Sequence, residues 1–162
     1  MNDPGPDDDV GVLLALALVA ALVAGTPAAV KHHGNRGDPA ALKATADRHL
    51  SPATILRYAR AEGFTGQRAR VATAVALAES SGRVRAHNPV PPDDSYCLMQ
   101  INMLGDLGPA RRARLGLRRN TDLYDPATCM HAAYVISGGG SDWSSWSTYT
   151  RGTYLRHLSR VP

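Results

Sequence analysis

The sequence predicts a small all-α domain that follows an N-terminal hydrophobic segment. Residues 10–30 read VGVLLALALVAALVAGTPAAV and hold no charged side chain, while the later part of the chain shows helix caps and helical spacing of apolar residues. With 162 residues and 44% hydrophobic content, the chain is long enough for one core and an appendage. We expect an acidic N-terminus at residues 1–9, a hydrophobic segment at 10–30, a linker at 31–50 and the domain at 51–162.

The hydrophobic segment is long enough to cross a bilayer as a helix, so it predicts a transmembrane anchor or a signal helix. Residues 26–28, TPA, resemble a signal-peptide cleavage site, but the chain begins NDPGPDDD after its Met, where a signal peptide carries basic residues. Lys31 and Arg36 follow the segment, and by the positive-inside rule they would place the domain in the cytoplasm. Cleavage and topology therefore stay open, and a buried core helix is the alternative interpretation.

The domain side of the chain is basic. Residues 31–162 carry all 18 Lys and Arg against 14 − 4 = 10 acidic side chains, a formal charge of +8. This balance favours an anionic partner, whether nucleic acid, a membrane surface or an acidic wall polymer, and does not choose among them. A run of arginines is interpreted either as a solvated helix face or as a site for such polymers: Arg111, Arg112, Arg114, Arg118 and Arg119.

The first helix of the domain has recognisable ends. Ser51 is a helix cap followed by Pro52 at the first helical position, and Gly63 stands where a C-terminal cap belongs. Between them, Ile55 and Ala59 lie on one helix face. The sequence therefore predicts one short helix directly after the linker.

A second helix is predicted at residues 67–81, ended by Gly82, and it carries one of the chain's two glutamates, Glu79. Val71 and Val75 define its apolar stripe, and Glu79 falls on the same stripe. Burial and the negative end of the helix dipole both raise the pKa of a carboxyl group placed there. A protonated carboxylic acid is what general-acid cleavage of a glycosidic bond needs. The alternative is a carboxylate turned to solvent at the helix end.

Four short motifs then carry a family resemblance. In chain order they are Glu79-Ser80, Leu98-Met99-Gln100-Ile101, Leu123-Tyr124-Asp125-Pro126 and Tyr149-Thr150-Arg151-Gly152. Over residues 52–158, the chain resembles the lysozyme-like lytic transglycosylase (SLT) domain, with a terminal section closest to phage tail and actinobacterial wall versions. The resemblance implies a lysozyme-like all-α fold and cleavage of the bond between N-acetylmuramic acid (MurNAc) and N-acetylglucosamine (GlcNAc) in peptidoglycan.

The resemblance also implies roles for individual residues. Glu79 would act as general acid and then base, Ser80 and Gln100 would shape the cleft or hydrogen-bond within it, and Met99 would pack along it. Tyr149 would face the glutamate, and Tyr134 is included among the substrate-binding residues. The chain departs from the pattern at Cys97, Cys129 and Thr150.

The two cysteines replace family-typical residues in segments that should pack around the same core. A disulfide between Cys97 and Cys129 is therefore a hypothesis, and it would suit an oxidising, extracytoplasmic location. Two buried free thiols are the alternative. The spacing of Cys129 and His131 offers no credible metal site, so no metal and no cofactor is expected.

Three functions stay open. The preferred one is a transglycosylase in which Glu79 works alone and the product is a 1,6-anhydro sugar. A lysozyme of the same fold would need a second carboxylate, for which Asp93 and Asp94 are candidates, although Asp is also ordinary turn chemistry in this Pro-rich loop. A non-catalytic glycan-binding component, membrane-anchored or part of a phage particle, is the third.

Expected partners are peptidoglycan glycan strands and a membrane contacted through residues 10–30, with no specific nucleic acid. We expect a membrane-anchored or secreted protein that acts on the cell wall. Association with a virion is a further option.

Overall fold

The computed structural model describes residues 48–162, and the predicted hydrophobic segment at 10–30 lies outside them. The helices are α1 Pro52–Ala61, α2 Gly66–Ser80, α3 Leu107–Leu115, α4 Pro126–Ile136, α5 Ser147–Thr150 and α6 Leu155–Leu158, with a 3₁₀ helix at Asn120–Tyr124. None of these helices has the length and apolar character needed to cross a membrane.

The expectation of an all-α fold needs one correction, because the mostly helical domain also holds a small antiparallel sheet. Its strands are β1 His87–Asn88, β2 Ser95–Tyr96 and β3 Ile101–Asn102, in that spatial order. Strands of two residues are too short to show the alternation of apolar and polar residues by which strands are predicted. The Pro-rich and Asp-rich segment therefore looked like a plain loop.

Helix α2 forms the centre of the core. It was predicted with one apolar stripe, but Ala69 and the whole run from Ala72 to Leu77 are buried. Its small alanines allow neighbours on several sides, and α1 and the C-terminal α6 both pack against it. A helix covered in this way has a fixed position, so a side chain at its end is held rigidly.

Side-chain caps are present at α1, where one was predicted, and at α4. Ser51 Oγ accepts a hydrogen bond from the Thr54 amide at 3.2 Å, and the Asp125 carboxylate accepts one from the Thr128 amide at 2.9 Å. Both helices begin with proline, whose missing amide hydrogen costs nothing there.

Gly82 fixes the turn that follows α2. Its φ is +86°, and a Cβ atom there would lie 2.6 Å from the carbonyl oxygen of Leu50. The close approach lets the Leu50 amide donate to the Gly82 carbonyl at 2.9 Å, and His49 forms an antiparallel bridge with Arg83. The end of the expected linker is therefore paired with the domain.

Three arginines of the basic run tie α3 to its surroundings. Arg111 donates to the carbonyl of Asn102, Arg112 donates to the Asn120 side chain, and Arg114 donates to the carbonyl of Val135. These contacts give part of the run a structural role beyond that of a solvated helix face.

Candidate active site

A polar cleft of about 350 Å³ opens beside the end of α2. It is lined by Glu79, Asn88, Asp93, Ser95, Gln100, Asn102, Ser145, Trp146, Ser147 and Arg151. The cleft thus lies between the end of α2, the small sheet and the segment that leads into α5. Its lining is hydrogen-bonding rather than apolar, as expected where a sugar with many hydroxyl and amide groups is held.

Glu79 lies in the last turn of α2 and is half-buried. The hydroxyl of Thr148, on α5, donates to Glu79 Oε1 at 2.6 Å. This contact joins two segments that are 69 residues apart in the sequence. The carboxyl group is therefore held by a segment that is distant in the sequence rather than by its own helix.

The pKa of Glu79 is raised above its ordinary value, mainly because burial penalises the ionised form. The hydroxyl and backbone amide of Thr148 act in the opposite direction, since both stabilise the carboxylate. Asp93 adds a smaller upward effect through like-charge repulsion. The balance favours a carboxyl group that keeps its proton to higher pH than an exposed glutamate, as a general acid requires.

The opposite wall is one face of the sheet. Asn88, Ser95 and Asn102 occupy equivalent register positions on β1, β2 and β3, so their side chains point to the same face. They surround Asp93, whose Oδ1 accepts from Ser95 Oγ and Asn102 Nδ2, each at 3.2 Å, and whose Oδ2 accepts from Asn88 Nδ2 at 3.4 Å. Both oxygens of this second carboxylate are thus engaged within the protein.

This geometry agrees with the comparison to known families, in which the model of the lysozyme-like domain matches residues 56–148. The chain belongs to the lysozyme-like domain family. No curated protein and no solved structure gives a significant match to it. Membership confirms the suspected relationship to the SLT domain and identifies the chain as one of a glycan-cleaving family whose substrate is the glycan of peptidoglycan.

Gln100 and Met99 of this lysozyme-like domain lie at different depths. Gln100 lines the cleft in a left-handed backbone conformation with φ of +47°, and its side-chain amide donates to the carbonyl of Cys97 at 3.1 Å. Met99 is fully buried, and its carbonyl accepts a hydrogen bond from Trp146 Nε1 at 2.8 Å. Non-glycine residues with a left-handed backbone, such as Gln100, cluster at functional sites.

Ser80 does not line the cleft. Its hydroxyl donates to the carbonyl of Ala76 at 3.0 Å and accepts from the Gly82 amide at 3.1 Å. These bonds satisfy polar groups at the end of α2. Ser80 thereby fixes the helix turn that carries Glu79.

Tyr149 and Tyr134 also lie outside the lining of the cleft. The Tyr149 ring stacks between Trp143, at 6.0 Å between centroids, and Tyr154, at 4.7 Å. Tyr134 packs edge-on against Phe64 at 5.0 Å. The residue that bonds the glutamate is Thr148, which directly precedes the expected Tyr149 in the sequence. The substrate-binding roles of both tyrosines stay predictions.

Cys97 and Cys129 are joined in a disulfide, with their Cα atoms 6.2 Å apart. The Met99 amide donates to Cys129 Sγ at 3.4 Å, so the bridge contacts the residue that precedes Gln100 in the sequence. Cys97 has φ of +69°, a conformation natural for the glycine that the SLT pattern carries there. The cysteine that replaces this glycine is therefore one partner of the disulfide.

Several residues that line the cleft had not been predicted: Asn88, Ser95, Asn102, Ser145, Ser147 and Arg151. They are short polar side chains and one arginine in segments without periodicity, and such residues are common in loops of every kind. Within residues 48–162, no group of three or more His, Cys, Asp or Glu side chains is placed to hold a metal ion.

Proposed function

We propose that the protein is a peptidoglycan lytic transglycosylase in which Glu79 is the sole catalytic carboxyl group. The observation that carries the proposal is a half-buried glutamate with a raised pKa, held by Thr148 at the edge of a polar cleft. Membership of the lysozyme-like family supplies the glycan as substrate.

The proposed reaction has two proton transfers. Glu79 donates its proton to the glycosidic oxygen between MurNAc and GlcNAc, and the bond from that oxygen to the anomeric carbon breaks while the substrate N-acetyl group assists. The 6-hydroxyl oxygen of the muramic acid then bonds to the anomeric carbon, and its proton returns to Glu79. The products are a 1,6-anhydro end and a free 4-hydroxyl, and no water is consumed.

Hydrolysis by a lysozyme mechanism is the second candidate, because Asp93 lines the same cleft as Glu79. Both Asp93 oxygens accept hydrogen bonds from the sheet, so the group is committed to holding Asn88, Ser95 and Asn102 in place. This arrangement favours a positioning role for Asp93 over attack on the anomeric carbon or activation of water. Asp94 instead contacts His87 Nε2 at 2.8 Å and does not line the cleft.

The test is digestion of purified peptidoglycan by the full chain, with the products identified by mass. Anhydro ends support the transglycosylase, whereas reducing ends, each heavier by one water, would establish the lysozyme. Glu79→Gln should abolish cleavage, and Glu62→Gln is the matched control, since Glu62 bonds His131 and does not line the cleft. Cleavage by the Glu79 variant at the parent rate would contradict the mechanism.

A non-catalytic glycan-binding component would give binding without products from the parent chain. The extracytoplasmic location stays a prediction, supported by the disulfide because such bonds persist in oxidising compartments.

A further inference from the structure

Arg151 is the only cationic side chain among the residues that line the cleft. It follows α5 directly, and its amide donates to the carbonyl of Ser147 at 3.0 Å. Arg151 follows Ser147 by four residues and Thr148 by three, so it lies beside each of them on the surface of this turn. Thr148 bonds Glu79, and Ser147 lines the cleft, so the same face brings the guanidinium to the cleft.

The charge of Arg151 has no counterion in the described part of the chain. Its side chain is exposed, and within residues 48–162 it forms no ion pair and no hydrogen bond. Asp93, the other charged group of the cleft, is held instead by three neutral donors. Glu79 Oε1 likewise accepts from the neutral hydroxyl of Thr148.

We propose that Arg151 binds a carboxylate of the substrate next to the scissile bond and makes the cleft selective for acidic glycans. The inference rests on the proposed function, because it concerns the glycan bound in the same cleft. A guanidinium forms paired, charge-assisted hydrogen bonds with a carboxylate. The amide and hydroxyl groups of a neutral sugar polymer cannot form such bonds, because they carry no charge. The carboxylate belongs either to the lactyl group of a muramic acid without its peptide or to a stem peptide.

Binding is the appropriate measurement, because it separates recognition from turnover. The full chain with Glu79→Gln is titrated with four soluble glycan preparations: strands freed of stem peptides, strands that retain them, and each of these two after conversion of its carboxylates to amides. The same titrations are made after adding Arg151→Gln. The matched control is Arg60→Gln, which removes an equal charge from an exposed side chain on α1, outside both the cleft and the run of arginines.

We expect Arg151→Gln to weaken binding of acidic strands by about tenfold or more, as for a charge-assisted hydrogen bond, with amidated strands unaffected. A loss confined to peptide-free strands identifies the lactyl carboxylate, and a loss confined to peptide-bearing strands identifies the stem peptide. Arg60→Gln should change each affinity by less than about twofold, since an exposed charge outside the site acts only through screened attraction.

An equal loss on acidic and amidated strands, or no loss on either, would overturn the proposal while the chain still bound glycan. Absence of binding to every preparation would overturn the proposed function as well, and cleavage by the parent chain tests that function separately. Arg151→Lys keeps the charge without the paired geometry and should retain only part of the affinity for acidic strands.

Discussion

The hydroxyl of Thr148 donates a hydrogen bond of 2.6 Å to Glu79 Oε1. This bond is the link between the end of the central helix α2 and helix α5. It stabilises the carboxylate against a burial effect that favours the protonated acid. Thr148 therefore both positions the glutamate and limits the rise in its pKa.

Replacing Thr148 with valine should shift the pH dependence of glycan cleavage. Loss of the hydroxyl removes an effect that lowers the pKa of Glu79, so the pKa rises further and the alkaline limb of the kcat/KM profile moves to higher pH. We also expect kcat to fall by about tenfold, because the carboxyl group loses a charge-assisted hydrogen bond. Thr150→Val is the control, since its hydroxyl bonds Ser147 and not Glu79. An unchanged alkaline limb would contradict the assignment of Glu79 as the acid.

Glu79→Gln should stabilise the fold at neutral pH. The folded pKa of Glu79 lies above its ordinary value of 4.5, so the contribution of this group to stability is greatest below that pH and is lost as the pH rises through the folded pKa. Glutamine carries no charge and keeps an oxygen that accepts from Thr148. The advantage of the variant should therefore be absent well below pH 4.5 and grow toward neutrality, as measured by urea unfolding.

Asp142→Asn is the contrasting variant, because hydrogen bonds from Ser144 lower the pKa of Asp142 below 3.8. The stability that this carboxylate contributes is present above its ordinary pKa and is lost as the pH falls. The asparagine variant should therefore show a difference of the opposite sign at neutral pH. Equal pH slopes for the two variants would be inconsistent with the burial of Glu79.

Trp146→Phe should destabilise the cleft wall more than Trp143→Phe. Both tryptophans are buried, but the Trp146 indole donates to the carbonyl of Met99 at 2.8 Å. Removing that donor leaves a buried carbonyl without this partner, at a cost of about 1 to 3 kcal/mol. The difference between the two unfolding free energies isolates this contribution, because both variants lose a similar ring volume. Equal losses would show that packing alone accounts for the effect.

The disulfide variants should separate the cross-link from the backbone conformation of Cys97. Cys97→Ala with Cys129→Ala should lose about 3 to 4 kcal/mol of unfolding free energy, as the chain-entropy model gives for a loop of this length. Cys97→Gly with Cys129→Ala should lose about 1 kcal/mol less, because glycine adopts the φ of +69° without the steric cost of a Cβ atom.

Mass measurement with and without alkylation of free thiols is the accompanying check on these variants. The parent chain should take up alkyl groups only after reduction. Alkylation of both cysteines without reductant would contradict the bridge. A glycine variant less stable than the alanine variant would contradict the role assigned to the left-handed conformation.

Local sequence patterns predicted α1, α2 and the candidate acid, whereas α3 and the short helices α5 and α6 were not predicted. Ser51 with Pro52 and Asp125 with Pro126 mark two helix starts, and both caps are formed. The placement of Glu79 at the end of an apolar helix indicated a raised pKa, and burial indeed raises it. Caps and helical spacing involve residues within one or two turns of each other, so the order of the residues alone determines them.

Only the tertiary structure decided what surrounds Glu79. Thr148, Asp93 and Arg151 reach the cleft from a helix turn and a loop that show no periodicity. Tyr149 stacks between Trp143 and Tyr154, and its expected role facing the glutamate stays a prediction. The sequence by itself determined α1, α2 and the candidate acid, because caps and helical spacing involve residues close together in the chain, and it supplied the four ordered motifs that carry the family resemblance. The partners of the acid depend on which distant segments pack against the central helix, and the free energy of that packing is shared across the whole core.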